Sequence, residues 1–271
     1  MNKPEISVII ASYNQKALLP RAIDSVISQS IDVPFEVIVI DDGSTDGSQD
    51  IEKDYKNVSN LLWINESHRG IMNTYNTGLT LCRGKYIAFC DCDDYWIDDY
   101  KLARQYYCMA TRPWFGLCTT RVFTRSGNDM LSEKISTDEI NEKLSYNSLL
   151  KGTVPIHAQS YFIRKEVLDK YVDFSIFVKR KFNTWDYPIV LELINHTRFY
   201  CLGFYSAVYV KQVESTTRTV GRKKRIKYLL GNYRIKLYFI GKYGCQMSTL
   251  LYLFYKLVRD TYSIIFKRWV G

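Results

Sequence analysis

The chain has 271 residues, 46% of them hydrophobic and 24% charged, which allows one sizeable core and excludes a disordered or low-complexity protein. Seven cysteines, an odd number with no Cys-x-x-Cys pair, lie in apolar contexts such as Leu81-Cys82 and Phe89-Cys90; they argue against a disulfide framework or a zinc site and fit a reducing cytoplasm. The net charge of +9 conceals a division: residues 215–271 hold 13 of the 37 Lys and Arg and one acid, a net of +12, so residues 1–214 have a net of −3.

Lys3 and Pro4 lead directly into an apolar run, without the basic segment, long apolar stretch and small-residue cleavage site of an export signal. Ile6–Ala11 is β-branched almost throughout, the pattern of a strand covered on both faces in a parallel sheet. From Ala17 to Gln29 the apolar positions recur at helical spacing, with Arg21, Asp24 and Ser28 on the opposite side. Phe35–Ile40 is a second buried strand, ending at the small and acidic loop Asp41-Asp42-Gly43-Ser44-Thr45-Asp46-Gly47-Ser48; a helix through Ile51 and Tyr55 completes a βαβ unit. Leu61–Ile64 reads as a third strand, Ile71–Leu81 as a helix and Tyr86–Cys90 as a fourth strand. This alternation defines an α/β chain with an open, mostly parallel sheet, in which ligands bind beyond the carboxyl ends of the strands. Tyr13, Asp41-Asp42 and Asp91-Cys92-Asp93-Asp94 all fall there.

Three carboxylates within four residues repel one another, and a divalent cation among them removes that cost. Hard oxygen ligands suit Mg²⁺ or Mn²⁺. The bland alternative is a solvated acidic turn, with Asp94 capping the helix that follows. Beyond Trp114 the pattern weakens. Gly116–Thr124 reads as a strand, 126–145 as a polar surface excursion, Gln159–Ile163 as a strand before a helix over Lys165–Tyr171, and Phe199–Tyr209 as a last strand. Pro188 is placed to open a helix over Ile189–Asn195.

The ordered set Ser7-Val-Ile-Ile-Ala-Ser-Tyr-Asn14, Val39-Ile-Asp-Asp-Gly-Ser-Thr-Asp-Gly47, Asn76-x-Gly78, Gly84-Lys-Tyr-Ile-Ala88, Asp91-x-Asp93-Asp94 and Trp185-Asp186 resembles the family 2 glycosyltransferases of GT-A fold, over roughly residues 5–210. The resemblance implies inverting sugar transfer from a nucleoside diphosphate donor, a UDP-sugar favoured, with Mn²⁺ or Mg²⁺ as cofactor. It places Ala11 and Tyr13 against the nucleobase, Asp42 or in its place Asp41 as acceptor from the base, Asp91 near the ribose and metal, and Asp93 as the direct metal ligand. Asp186 corresponds to the catalytic base, the bland alternative being an acid at a helix N-terminus. Two positions depart from the family's pattern: Trp185 stands where an acid is usual, and Tyr75 where many relatives have Arg before Asn-x-Gly. Neutralising the diphosphate then falls to His68, Arg69, Arg218 or Arg222. His157 is a candidate substrate contact on the acceptor side, although a lone histidine is more often structural; Trp96 and Trp185 could floor a sugar site or simply pack.

The catalytic domain is expected over 1–214, its nucleotide-sugar half over about 1–112 and its acceptor half over 113–214, followed by a basic amphipathic helical segment over 215–271. Ile226, Leu229, Leu230, Tyr233, Leu237 and Ile240 form one apolar stripe, and Met247, Leu250, Leu251, Phe254, Leu257, Val258, Ile264 and Ile265 another. Charges interrupt both, so neither reaches the roughly 20 residues of a membrane span. Basic amphipathic helices suit an anionic membrane surface; packing of the stripes on the catalytic domain or on each other is the alternative. These features anticipate a peripheral enzyme at the cytoplasmic face of the membrane, acting on a glycan or lipid-linked acceptor in surface polysaccharide or lipopolysaccharide assembly. A nucleotidyltransferase would show a Gly-rich loop with Arg and Lys near the first strand, which Ala11-Ser-Tyr-Asn-Gln15 lacks. A nucleic-acid binder would leave the acidic site unexplained, and no nucleic-acid partner is expected. A membrane-bound scaffold with a dead transferase site is disfavoured by the intact acids.

Overall fold

The computed structural model describes residues 3–211 and 221–266. Its first half is β1 (Ile6–Ser12), α1 (Leu19–Ile27), β2 (Phe35–Asp41), α2 (Glu52–Tyr55), β3 (Leu61–Asn65), α3 (Ile71–Leu81) and β4 (Tyr86–Phe89), as the alternation predicts. β5 (Tyr95–Trp96), α4 (Lys101–Thr111), β6 (Phe115–Ser126), β7 (Asp129–Leu131), α5 (Thr137–Lys143) and α6 (Tyr146–Lys151) follow. The chain continues through β8 (Phe162–Arg164), α7 (Lys165–Tyr171), α8 (Phe174–Lys179), α9 (Asp186–Leu193), β9 (Arg198–Val210), α10 (Arg222–Tyr243) and α11 (Met247–Phe266).

Among the described residues nine strands form one sheet in the order β3-β2-β1-β4-β8-β6-β9-β5, with β7 paired to β6. β1, β2, β3 and β4 are mutually parallel, and β6 and β9 share their direction because β8 is antiparallel to both β4 and β6. Strand alternation divides the β-branched runs between two cores. Ile9, Ala11, Ile38, Ile40, Ile87 and Phe89 face the layer containing α3, α7 and α9, whereas Val8, Ile10, Val37, Val39 and Ala88 face the layer containing α1 and α4. Gly78 lets α3 lie close to β1 and β2, since a Cβ there would stand 2.8 Å from both Ile9 Cγ2 and Ile40 Cδ1. That contact accounts structurally for the glycine of Asn76-x-Gly78.

Three expectations are corrected. The 126–145 stretch is not merely a surface excursion: it contains β7 and α5, with Ser136 capping α5 by accepting from Glu139 N, and Ile140 fully buried. α9 begins at Asp186 rather than Ile189, so the aspartate lies in its first turn. On α10 the inward face carries Tyr233, Ile235, Lys236 and Phe239, while Leu230 and Leu237 of the expected stripe are exposed. Ile235 and Phe239 belong to the same core as Trp185 and Ile189, so α10 is built into the body of the protein.

Candidate active site

Ser12 and Asp41 end β1 and β2 in direct register, and Asp91–Asp94 follow β4, so the acidic loops converge on one edge of the sheet. Asp41 is fully buried and its Oδ1 accepts from Ser44 N at 2.7 Å, which holds the loop after β2. Asp46 accepts from Ser48 N at 3.0 Å and Lys16 N at 2.9 Å, which ties this loop to the chain that follows β1. Asp42 accepts from Arg69 N at 2.8 Å and Gly70 N at 2.9 Å, and its Oδ2 lies 2.9 Å from His68 Nδ1. The His68 ring lies flat on Tyr13 with centroids 4.1 Å apart. Tyr13, Asp42 and His68 therefore form one unit at the rim. Ala11 is buried in the core beneath α3, so of the expected base-contacting pair only Tyr13 presents its side chain at the surface. Arg69 pairs with Glu66 at 2.6 Å and donates to Thr77 Oγ1 at 3.3 Å.

Asp91 is held by a residue that the sequence marks only as a departure. The fully buried Tyr75 donates its hydroxyl to Asp91 Oδ1, and its ring stacks on Trp185 at a centroid separation of 3.7 Å. Burial, with Asp91 adding to it, holds the phenol well above its ordinary pKa, so it remains a donor. Burial raises the Asp91 carboxyl to about 7; Asp93 and Asp186 push in the same direction, and the Tyr75 hydrogen bond opposes them. Burial likewise raises Asp93, Asp94 and Asp186. Asp94 caps no helix, because β5 intervenes; instead it accepts from Val210 N at 2.8 Å and ties the end of β9 to the acidic loop.

Arg21, which the periodicity of α1 assigns to the solvent side, lies over the Tyr95 ring at 4.1 Å and donates to the Asp93 carbonyl at 3.0 Å. It lowers the pKa of Asp93 and Asp94 against burial. Helical spacing alone gave no signal for that role, because α1 turns its polar face to the acidic loop.

Asp186 follows Asn183, whose Nδ2 donates to the Tyr228 carbonyl at 3.2 Å and to Asn232 Oδ1 at 2.9 Å on α10. Gly231 permits this crossing: a Cβ there would stand 2.7 Å from Asn183 Cγ. Trp185 and Trp96 are both buried and serve packing, the first against Tyr75 and Phe89, the second beneath Lys101. His157 is 5.8 Å from the Tyr209 ring, and burial with Lys211 lowers its pKa to about 4. Its 3.7 Å approach to Glu133 is therefore between a neutral imidazole and a carboxylate that Arg121 already pairs at 3.1 Å. Arg222 is exposed at the first position of α10, and Arg218 lies outside the described residues.

Among the described residues no three His, Cys, Asp or Glu side chains are arranged to hold a metal ion. The donor set nevertheless suits a hard cation that takes one or two protein carboxylates and completes its shell from a diphosphate. Asp91 and Asp93 crowd one another, and Ser12 Oγ, Arg21 Nε and Asp41 Oδ2 at the same edge are buried with no hydrogen-bond partner. Unpaired polar groups of this kind mark a place where ligand or solvent completes the bonding.

Residues 7–172, more than half of the chain, match the family model described as glycosyl transferase family 2. The chain belongs to that family, and its fold is GT-A. It is 32% identical over 158 residues to the putative teichuronic acid biosynthesis glycosyltransferase TuaG of Bacillus subtilis, covering 56% of this chain and 59% of TuaG. It is 36% identical over 110 residues to the Escherichia coli UDP-Glc:alpha-D-GlcNAc-diphosphoundecaprenol beta-1,3-glucosyltransferase WfaP, covering 41% of this chain and 43% of WfaP. The matched region thus spans only part of these relatives. Among solved structures, S. aureus TarS 1-349 in complex with UDP-GlcNAc superposes with a TM-score of 0.68 at 16% identity, over 96% of this chain and 73% of TarS. The mannosyltransferase PcManGT from Pyrobaculum calidifontis, in complex with GDP-Man and Mn²⁺, superposes with a TM-score of 0.62 at 16% identity, over 97% of this chain and 70% of that one.

Proposed function

We propose that this protein transfers a sugar from a nucleoside diphosphate donor, a UDP-sugar favoured, to a hydroxyl of a glycan or lipid-linked acceptor with inversion at the anomeric carbon. Bacterial surface-polysaccharide assembly at the cytoplasmic face of an anionic membrane is the setting that the relatives' names and the basic C-terminal segment support. The observation that carries the reading is the Tyr75 bridge, whose hydroxyl holds Asp91 on the donor side while its ring holds Trp185, the neighbour of Asp186, on the other.

In this reading the base stacks on Tyr13 with His68 as its neighbour, and Asp42 accepts from the base edge. Asp91 receives the ribose, Asp93 and Asp91 hold the cation, and Arg21 fixes the acidic loop. Bound Mn²⁺ or Mg²⁺ would neutralise charge developing on the leaving diphosphate. Asp186 takes the proton of the acceptor hydroxyl; the acceptor oxygen bonds to the anomeric carbon as the bond to the diphosphate oxygen breaks, releasing the nucleoside diphosphate. Its raised pKa suits a base poised nearer neutrality than an ordinary carboxylate.

The test is Asp186→Asn, measured for donor binding and for transfer. Transfer should fall by about a hundredfold or more with donor affinity retained. Normal turnover in this variant would remove Asp186 from the chemistry.

A further inference from the structure

α11 presents its sides in the reverse of the order expected for the outermost helix of a water-exposed domain. Its inward side carries Thr249, Leu253, Lys256 and Asp260. Thr249 is buried and donates to Asn147 Oδ1 at 2.9 Å, Lys256 Nζ donates to the Lys151 carbonyl at 3.2 Å, and Tyr233 of α10 donates to the Leu253 carbonyl at 3.0 Å. The outward side is Met247, Leu251, Phe254, Val258, Tyr262 and Ile265, which follow one another at helical spacings, all exposed, with Phe254 at 71% and Val258 at 55%. At 1.5 Å per residue this strip runs about 27 Å along the protein, a length of apolar surface that ordinarily has a partner.

Charge decides which partner. Residues 221–266 contain ten Lys and Arg against the single acid Asp260, which Arg259 pairs at 2.8 Å. On α10, Lys223, Lys227 and Arg234 are exposed in the same helix as the exposed Leu230 and Leu237. A second copy of this surface would set like charge against like, whereas an anionic bilayer accepts both the basic groups and the apolar strip. No described helix is long and apolar enough to cross a membrane, so such contact is in the plane of the surface. We propose that the outward face of α11, flanked by the basic turns of α10, seats the protein on an anionic lipid bilayer. The apolar strip enters the boundary between headgroups and acyl chains, and the polar side of the helix stays on the domain. This deepens the reading of a membrane-linked transferase, and its evidence is independent of the carboxylates.

The test is flotation of the intact protein with phosphatidylcholine vesicles and with the same vesicles containing phosphatidylglycerol. Phe254→Glu combined with Val258→Glu should weaken binding to the anionic vesicles by at least about tenfold. Lys223→Glu combined with Lys227→Glu should weaken it by about tenfold and flatten its dependence on salt. Both variants should keep the circular dichroism, melting temperature and donor hydrolysis of the parent, since the altered side chains are exposed. Unchanged vesicle binding in the Phe254/Val258 variant overturns the proposal, as does equal binding of the parent to neutral and anionic vesicles. Concentration-dependent self-association that the two glutamates abolish also overturns it and assigns the strip to a second copy. Transfer to a water-soluble acceptor, followed in parallel, reads the enzymatic assignment separately: its loss with vesicle binding intact refutes the chemistry and leaves the seat standing.

Discussion

Tyr75→Phe removes one hydroxyl from the centre of the site and little else. The ring keeps its stack on Trp185 and its contact with Phe89, 6.0 Å between centroids, so the fold should persist. Asp91 loses its donor, and a hydrogen bond to a charged group contributes about 1.5 to 3 kcal/mol. If that bond orders Asp91 for the donor in the transition state, kcat/KM should fall roughly ten- to hundredfold. Steady-state transfer kinetics at saturating acceptor, with the UDP-sugar varied, provide the assay. Tyr75→Leu should lose more, because it also frees Trp185 and with it the loop carrying Asp186. Wild-type kcat/KM in Tyr75→Phe would refute the reasoning and leave Tyr75 as a packing residue.

Asp93→Asn should abolish transfer and remove the Mn²⁺ dependence of UDP binding while the melting temperature is kept; calorimetric titration of UDP with and without Mn²⁺ checks this. Gly231→Ala places a methyl against Asn183, an overpacking costing about 1 to 3 kcal/mol, and should reduce transfer more than donor hydrolysis; equal effects on the two rates would contradict this. Lys101 is fully buried, bonded to Gln105 Oε1 at 2.6 Å, and burial lowers its pKa to about 7. Its folded-state pKa lies below its unfolded value, so the unfolded chain holds the extra proton between about pH 7 and 10, and this group makes the protein more stable as pH rises through that window. Lys101→Met should flatten that rise, by up to about 4 kcal/mol in urea melts at pH 6 and 10; parallel pH profiles for parent and variant would contradict it.

β1, β2 and β4 could be read from sequence because both faces of each are covered, so the runs are apolar except for Ser7 and Glu36, which pair with each other at 2.7 Å, and for Ser12 and Asp41 at the strand ends. The acidic residues could be read as a set because parallel strands deliver their ends to one edge. α10 misled the periodicity: apolar residues occur all around it, and the inward face falls to Ile235 and Phe239 rather than to Leu230 and Leu237. α5 buries one residue, Ile140, which is too little to mark a period. Asp94 looked like a helix cap because its partner, Val210 N, lies 116 residues away and belongs to the backbone, which leaves no side-chain signature. The roles of Tyr75, marked in the sequence only as a departure, and of Arg21 leave no sequence signal for a similar reason: they depend on which loops fold over them.

The helix that starts with Asp186 is held at both ends by α10. Asn183 meets Tyr228 and Asn232 just before it, and near its far end Glu192 accepts from Lys242 Nζ at 2.8 Å and from the Tyr243 hydroxyl, with His196 Nε2 at 3.2 Å. A boundary drawn at residue 214 therefore cuts through a brace and leaves the buried Glu192 without its lysine. For anyone making shortened or hybrid versions, the hairpin and α9 form a single cassette. A hybrid that takes its C-terminal helices from a relative should also take that relative's segment from 183 to 196, and one that splits the two should fold poorly or misplace its aspartate.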